Sequence, residues 1–409
     1  MARLPRRTAL ATLPPRFSRE RLLADVRTLA DAQPGGRGFG SASLDQAAER
    51  IAAAFARAGL KPGGDTAGSW FQSFAARGGE PPREAVLKNV VGVVPGTAGD
   101  LAKDLLVIGA HYDHLGTGDP GCLPANGGLV HPGADDNASG VAALLELART
   151  LWREDRPART VVFVAFAGEE AGRLGSAHFV ATAPFAPGRT FAMVNLDTVG
   201  RLEGRKILVL GGASAPEWVH ILRGAGYLAG VETAMAAEDL DASDDAVFRR
   251  AGVPAVQLFG GPGADYHRPT DTAEKIDGAG LEKVVQIAAE VVGYLAGAEA
   301  RLTAAGAPAG PAAKGETRSG EGERKVSLGV VPDFAFAGPG VRLEGVVAGS
   351  PAAAAGLRAG DVLLGVGGQE LAGLKALSAL LKSLQPGPVR LKYLRDGREQ
   401  GAEALLTPR

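Results

Sequence analysis

Cysteine is nearly absent from this 409-residue chain: Cys122 stands alone, so no internal disulfide can staple the fold. Methionine and tryptophan number three each, and aromatics make up only 5 % of residues. Net charge of one sign is missing too, because 44 Lys and Arg oppose 45 Asp and Glu to leave −1. A chain so balanced has no global field to gather nucleic acid or an anionic membrane, and either partner would need a local basic patch. No run approaches the roughly 18 apolar residues of a membrane span. The basic N-terminus is followed by an apolar run, Ala9 to Leu13, that is shorter than the roughly 7–15 residues of a signal-peptide core, so no signal peptide is expected. Histidine is scarce enough, at six, for each to be weighed individually.

What is present is 45 % hydrophobic residues and 59 glycines, an ordinary globular composition that excludes wholesale disorder. At roughly 150 residues per domain, the length suggests two or three domains. Beyond a tail at 1–17, two helices are expected between Ser18 and Leu60, the second ending at Lys61-Pro-Gly-Gly. Short apolar, β-branched runs follow at 89–94, 104–110, 160–166, 191–196, 206–210 and 254–259. Helical stretches separate them at 138–152, 171–182 and 216–228, and another is expected at 278–297. Continuous apolar runs alternating with helices predict an α/β domain whose mainly parallel strands are buried on both faces. Residues 298–324 have linker composition, and 325–409 returns to short strands with one helix at 374–384, a small second domain.

Acids and histidines cluster just after these strands. They are His111-Tyr-Asp113-His114, Gly133-Ala-Asp135-Asp136-Asn137, Gly168-Glu169-Glu170, Asp197 and Asp265-Tyr266-His267. In open α/β sheets, ligands bind outside the carboxyl ends of the strands, so these segments are expected to share one crevice. Taken singly, each has a plain structural reading as a surface histidine, a helix start or a cap. Together they supply two imidazoles and three carboxylates without a matched Ser or Cys nucleophile. That donor set suits two divalent ions joined by one bridging carboxylate, each completed by one carboxylate and one His. The spare acid of the Glu169-Glu170 pair is left for proton transfer.

The segments HYDHLG, GADDNASG, AGEEAGRLGS, NLDTVGRL, SDDAVFRRAGVPA and DYHRPTDT, in that order over roughly 18–297, resemble the M28 family of di-zinc aminopeptidases. The resemblance implies a mixed, mostly parallel eight-stranded sheet flanked by helices and two Zn2+ per chain, with Co2+ or Mn2+ as substitutes. It implies His111 and Asp197 as ligands of one zinc, Glu170 and His267 of the other, and Asp135, the first acid of the triplet, as the bridge. Glu169 matches the general base, Asp113 the carboxylate that orients His111, and Tyr266 a phenol that stabilises the oxyanion. The family often has His after the pair matching Ser243-Asp244; here Asp245 follows, a departure that bears on specificity. His114 is expected to line the site, Cys122 and His131 to be structural, and His178 and His220 to carry no function. The implied activity is removal of N-terminal residues from peptides. A carboxypeptidase or dipeptidase would instead need fixed cations, for which Arg201, Arg249, Arg250 and Arg268 are available, and glutaminyl cyclisation fits the full ligand set less well. Family members are mostly exported, so the resemblance favours the periplasm or secretion.

Residues 325–409 carry Leu328-Gly329, Gly349-Ser350-Pro351-Ala352, Ala355-Gly356-Leu357 and Gly360-Asp361-Val362-Leu363, and resemble a bacterial-type PDZ domain. The resemblance implies a C-terminal peptide as ligand, with its carboxylate at the Leu328-Gly329 turn. The alternative from another class is an inactive peptidase scaffold whose PDZ-like module alone binds peptides.

Overall fold

The computed structural model describes residues 16–408 apart from 32–34, 80–81, 119–127, 153–155, 183–184, 186, 239, 242, 262 and 306–325. Cys122, nearly all of the 1–17 tail and most of the proposed linker lie outside the described residues.

The first unit is built on strands β1 (Lys61–Pro62), β2 (Phe71–Gly78), β3 (Arg83–Val94), β4 (Leu105–His111), β5 (Thr160–Phe166), β6 (Thr190–Leu196), β7 (Ile207–Leu210), β8 (Thr233–Met235) and β9 (Ala255–Phe259). Its helices are α1 (Arg19–Ala30), α2 (Ala42–Arg57), α3 (Gly140–Thr150), α4 (Leu174–Ala181), α5 (Trp218–Ala229), α6 (Asp245–Arg250) and α7 (Gly278–Gly297). The strands form one nine-stranded sheet in the order β1-β3-β5-β4-β6-β9-β7-β8, with β2 on β3. The central run β5-β4-β6-β9 is parallel throughout, whereas β3 joins β5 and β7 joins β9 antiparallel. The sheet is therefore mixed, with its parallel character concentrated where the carboxyl ends carry the acids and histidines.

Both faces are covered, which explains the uninterrupted apolar runs. On β5, Val161, Phe163 and Ala165 join the larger core. Their alternates Val162, Val164 and Phe166 pack with Phe179 of α4 and Phe248 of α6. A strand buried on both sides has no solvated face to show as polar alternation. Strands β1, β2 and β8 and helix α6 were not legible in the apolar pattern; β2 alternates in burial because it pairs only at the sheet's margin. After α7 the chain stays on this unit: Arg301 pairs with Asp104, and Thr303 donates to Glu217. The expected linker thus begins as a docked segment.

The second unit has strands β10 (Val326–Ser327), β11 (Val330–Pro332), β12 (Val341–Val346), β13 (Val362–Val366), β14 (Gln369–Glu370), β15 (Gly387–Arg395) and β16 (Arg398–Pro408). Helices α8 (Pro351–Ala354) and α9 (Leu374–Ser383) complete it. The strand order is β10-β16-β15-β13-β12-β11, with β14 on β13, every pairing antiparallel. It closes over its own core, where Leu377, Leu380 and Leu381 of α9 meet Val326, Leu328 and Leu391. Among the described residues, no helix is long and apolar enough to cross a membrane.

Candidate metal centre

Because β4, β5, β6 and β9 run parallel and adjacent, the segments after them open on one side of the sheet. His111 ends β4, Glu169 and Glu170 follow β5, Asp197 follows β6, and His267 lies in the loop after β9. The triplet Asp135-Asp136-Asn137 enters from the turn before α3. Asn137 ties that turn to the end of β6: its Nδ2 donates to the Leu196 carbonyl, and its Oδ1 accepts from Gly140 and Thr198 N–H. Gly140 is required there, since a Cβ would press into the Leu196 carbonyl.

Within this crevice the structure brings His111, Asp136, Asp197, Glu170 and His267 together. His111 Nε2 lies 3.2 Å from Asp136 Oδ1 and 3.4 Å from Asp197 Oδ1. His267 Nε2 lies 3.2 Å from Asp136 Oδ2 and 3.4 Å from Glu170 Oε2. Asp136 thus gives one carboxylate oxygen to each histidine. Tetrahedral ligands about 2.0–2.1 Å from an ion stand about 3.3 Å apart, so all four separations match edges of such a shell.

Asp135 is where structure and sequence reading differ: its carboxylate is not among these groups. It turns away to accept from Gly200 N–H at 2.7 Å and from Ser139 Oγ, and lies 3.8 Å from Arg201. The backbone changes direction at Asp136 and Asn137, whose φ/ψ of −109/95° and −132/41° are not helical, and the peptide between them is cis. The two neighbouring acids make different contacts, Asp135 with Gly200 and Asp136 with His111 and His267. The triplet's spacing holds no signal for which one enters the crevice.

Asp271 also escaped the sequence reading. Its carboxylate accepts the backbone N–H groups of Asp135 and Asp136 and a 2.6 Å bond from Arg201. Arg37 was equally hidden. Its guanidinium, fully buried, donates to the carbonyls of Leu29, Tyr112, Pro132 and Gly133. It clamps the segments that carry His111 and Asp136 to each other, and burial lowers it to about 10.

Asp113 accepts the backbone N–H groups of Glu169 and Glu170 at 3.1 and 3.2 Å, fixing that turn. Its carboxylate is 3.8 Å from His111 Nδ1, while its carbonyl is nearer, at 3.3 Å. Tyr266 stacks on His267 with centroids 3.9 Å apart, and lines a hollow with Thr198, Arg201 and Gly263 beside Asp136. Of the cations a substrate carboxylate would need, Arg201 is taken by Asp265 and Asp271, Arg249 by Asp245 and Arg250 by Asp241. His131 donates to the Leu129 carbonyl with its ring 6.5 Å from that of His114, whereas His178 stacks on Phe74 and His220 is exposed.

Crowding so many carboxylates in a buried crevice raises most of them. Burial lifts Asp113 to about 6, Asp244 to about 7 and Asp135 to about 8, the last with help from Asp271. Burial, together with Glu170, Asp244 and Asp197, holds Glu169 well above the usual carboxylate range against the pull of His111. Burial would raise Asp136 as well, but hydrogen bonds from His111 and His267 overcome it and hold it well below. A buried carboxylate cluster flanked by imidazoles is a donor set suited to divalent cations. The residues present fit such ions.

Comparison with known proteins agrees with this architecture. Residues 89–292 match the family model of peptidase family M28, and residues 342–395 match that of a PDZ domain. The chain is 38 % identical over 131 residues to a probable zinc metalloprotease of Pyrenophora teres f. teres, covering 32 % of this chain and 27 % of that protein. It is 29 % identical over 195 residues to leucine aminopeptidase 1 of Trichophyton rubrum, covering 46 % and 47 %. The chain thus spans about a quarter to a half of these curated relatives. Among solved structures, a zinc aminopeptidase from Bacillus subtilis superposes with a TM-score of 0.54 at 19 % identity, over 69 % of this chain and 95 % of that one. A Porphyromonas gingivalis glutaminyl cyclase gives 0.56 at 20 %, over 68 % and 98 %. At those identities the likeness is one of fold. The chain carries a peptidase family M28 domain followed by a PDZ domain.

Proposed function

We propose that this chain is a zinc-dependent aminopeptidase, with the peptidase within 18–297 and a peptide-binding PDZ domain within 325–409. One observation carries the reading: Asp136 presents Oδ1 to His111 and Oδ2 to His267, and a further carboxylate backs each histidine at 3.4 Å. His111 and Asp197 would hold one zinc, Glu170 and His267 the other, and Asp136 both. Bound there, the two ions supply Lewis acidity and a water of lowered pKa.

The chain's own residues do the rest. Glu169, which interacts electrostatically with both His111 and Glu170, takes a proton from the attacking water and returns it to the leaving amine. Its backbone N–H and that of Glu170 are held by Asp113, which keeps base and ligand in register. Tyr266, beside His267, offers its phenol to the carbonyl oxygen as charge develops there. The acidic crevice attracts a free α-amine. Ion pairing of Arg201, Arg249 and Arg250 withdraws three cations a carboxypeptidase or dipeptidase would use.

Metal analysis and a panel of amino-acid anilides test this together. Two zinc ions per chain and cleavage only of substrates with a free α-amine are expected. Equal cleavage of N-blocked anilides would overturn the aminopeptidase reading, and fewer than two ions the two-zinc reading.

A further inference from the structure

His114 fits neither the ligand shell nor the inert background. It is 1 % exposed, and its Nδ1 lies 2.8 Å from Glu170 Oε1 and 3.9 Å from Asp136 Oδ2. Either distance puts it within reach of an ion held by Glu170 and Asp136. The separations decide between ligand and hydrogen-bond donor. Atoms sharing a tetrahedral ion stand about 3.3 Å apart, as the four histidine–carboxylate pairs above do. A charge-assisted N–H···O bond spans about 2.7–2.9 Å, and 2.8 Å falls there.

We infer that His114 is a positioning residue for the second zinc site: Nδ1–H donates to Glu170 Oε1 and leaves Oε2 as the single oxygen turned toward His267 and the ion. The inference rests on the two-zinc reading above and deepens it. The surroundings fix the ring in this role. Its backbone N–H donates to the Arg37 carbonyl at 3.1 Å, and the His267 ring stands edge-on at 5.8 Å. Gly133, at φ +58°, makes room, since a Cβ there would lie 2.5 Å from the His114 ring. His114 Nε2 is buried without a hydrogen-bond partner among the described residues. A bare ring nitrogen costs less there than an unpaired N–H, which assigns the proton to Nδ1. Outer carboxylate–imidazole bonds of this kind orient the ligand and tune the metal, and losing one costs about 10–100-fold in metal affinity.

Calorimetric zinc titration of the full chain tests this with two substitutions. H114A removes the donor. H114N keeps one, because the asparagine Nδ2 stands as many bonds from the main chain as the histidine Nδ1. The expected result is two tight sites in the parent chain and one weakened about 10–100-fold in H114A, with the other unchanged and H114N recovering most of the loss. Parent-like zinc binding in H114A would overturn the proposal, reducing the ring to packing. H114N as weak as H114A would overturn it too, because an amide nitrogen donates a hydrogen bond but does not ligate zinc. A parent chain that binds fewer than two zinc ions would refute the two-zinc reading itself, a result separate from either variant's.

Discussion

At Asp135 and Asp136 adjacent identical side chains do opposite work, and substitution separates them. D135N keeps an oxygen for the Gly200 N–H and is expected to bind zinc with parent stoichiometry. D136N replaces one of the two oxygens that face His111 and His267 by a donor, and is expected to lose both ions. Metal analysis of the two purified variants checks this; the reverse ranking would return the bridge to Asp135. Glu169 is a different case, since it is not placed in the ligand shell. E169Q is expected to keep its zinc and lose turnover by about 10²–10⁴-fold, the usual worth of a general base, with kcat and metal content as the readouts. Motif resemblance named His111, Glu170, Asp197 and His267, four side chains that the structure brings into one crevice. It could not reach the choice within Asp135-Asp136, which a local backbone reversal makes. Nor could it reach Arg37 and Asp271, which act on carbonyls and amides as far as 96 and 136 residues away in sequence.

Among the elements, the strands buried on both faces were the most legible: β3 to β6 and β9 fall where the apolar runs lie. The elements that escaped, β1, β2, β8 and α6, are short or marginal, and neighbours rather than their own pattern stabilise them. In the PDZ domain, the start of β13 and the end of β15 are joined by an ion pair whose carboxylate is buried and whose guanidinium is partly exposed. Arg395 Nη2 lies 2.7 Å from Asp361 Oδ2, and the Asp361 carboxylate also accepts from Arg358 N–H. Burial would raise Asp361, but the Arg395 bond prevails and lowers it. A carboxylate lowered in the folded state stabilises it above the unfolded pKa of about 3.9 and loses that contribution as pH falls through the folded value. D361N is therefore expected to destabilise the PDZ domain at pH 7. The gap from the parent closes as pH falls through the folded value, as followed by denaturant melts across pH.

For the whole molecule, the second unit touches the first at one end. Ala237 N–H donates to the Phe334 carbonyl, Glu238 accepts from the first N–H groups of α9, and Phe334 packs edge-on against Phe259, the last residue of β9. Phe259 leads into the loop that carries Tyr266 and His267, so the PDZ domain meets the strand from which that part of the crevice is built. Strand β11 is an edge strand preceded by the Leu328-Gly329 turn, which suits addition of a peptide strand ending in a carboxylate. If a substrate engages both domains, peptides long enough to span them are expected to be cleaved with a kcat/KM at least about tenfold higher as free acids than as C-terminal amides. Short anilides would show no such gap. Equal rates for acid and amide at every length would remove the PDZ domain from substrate recognition.

By itself the sequence determined the doubly buried α/β sheet, the two-unit organisation and the gathering of acids and histidines at one end of the strands. Those features follow from local periodicity and from which residues succeed each apolar run. Tertiary structure alone decided which acid of the triplet enters the crevice, that His114 meets Glu170, and that Arg37 and Asp271 hold the loops. These depend on backbone reversals and on contacts between segments far apart in the chain, and a one-residue change of direction leaves no trace in composition or spacing.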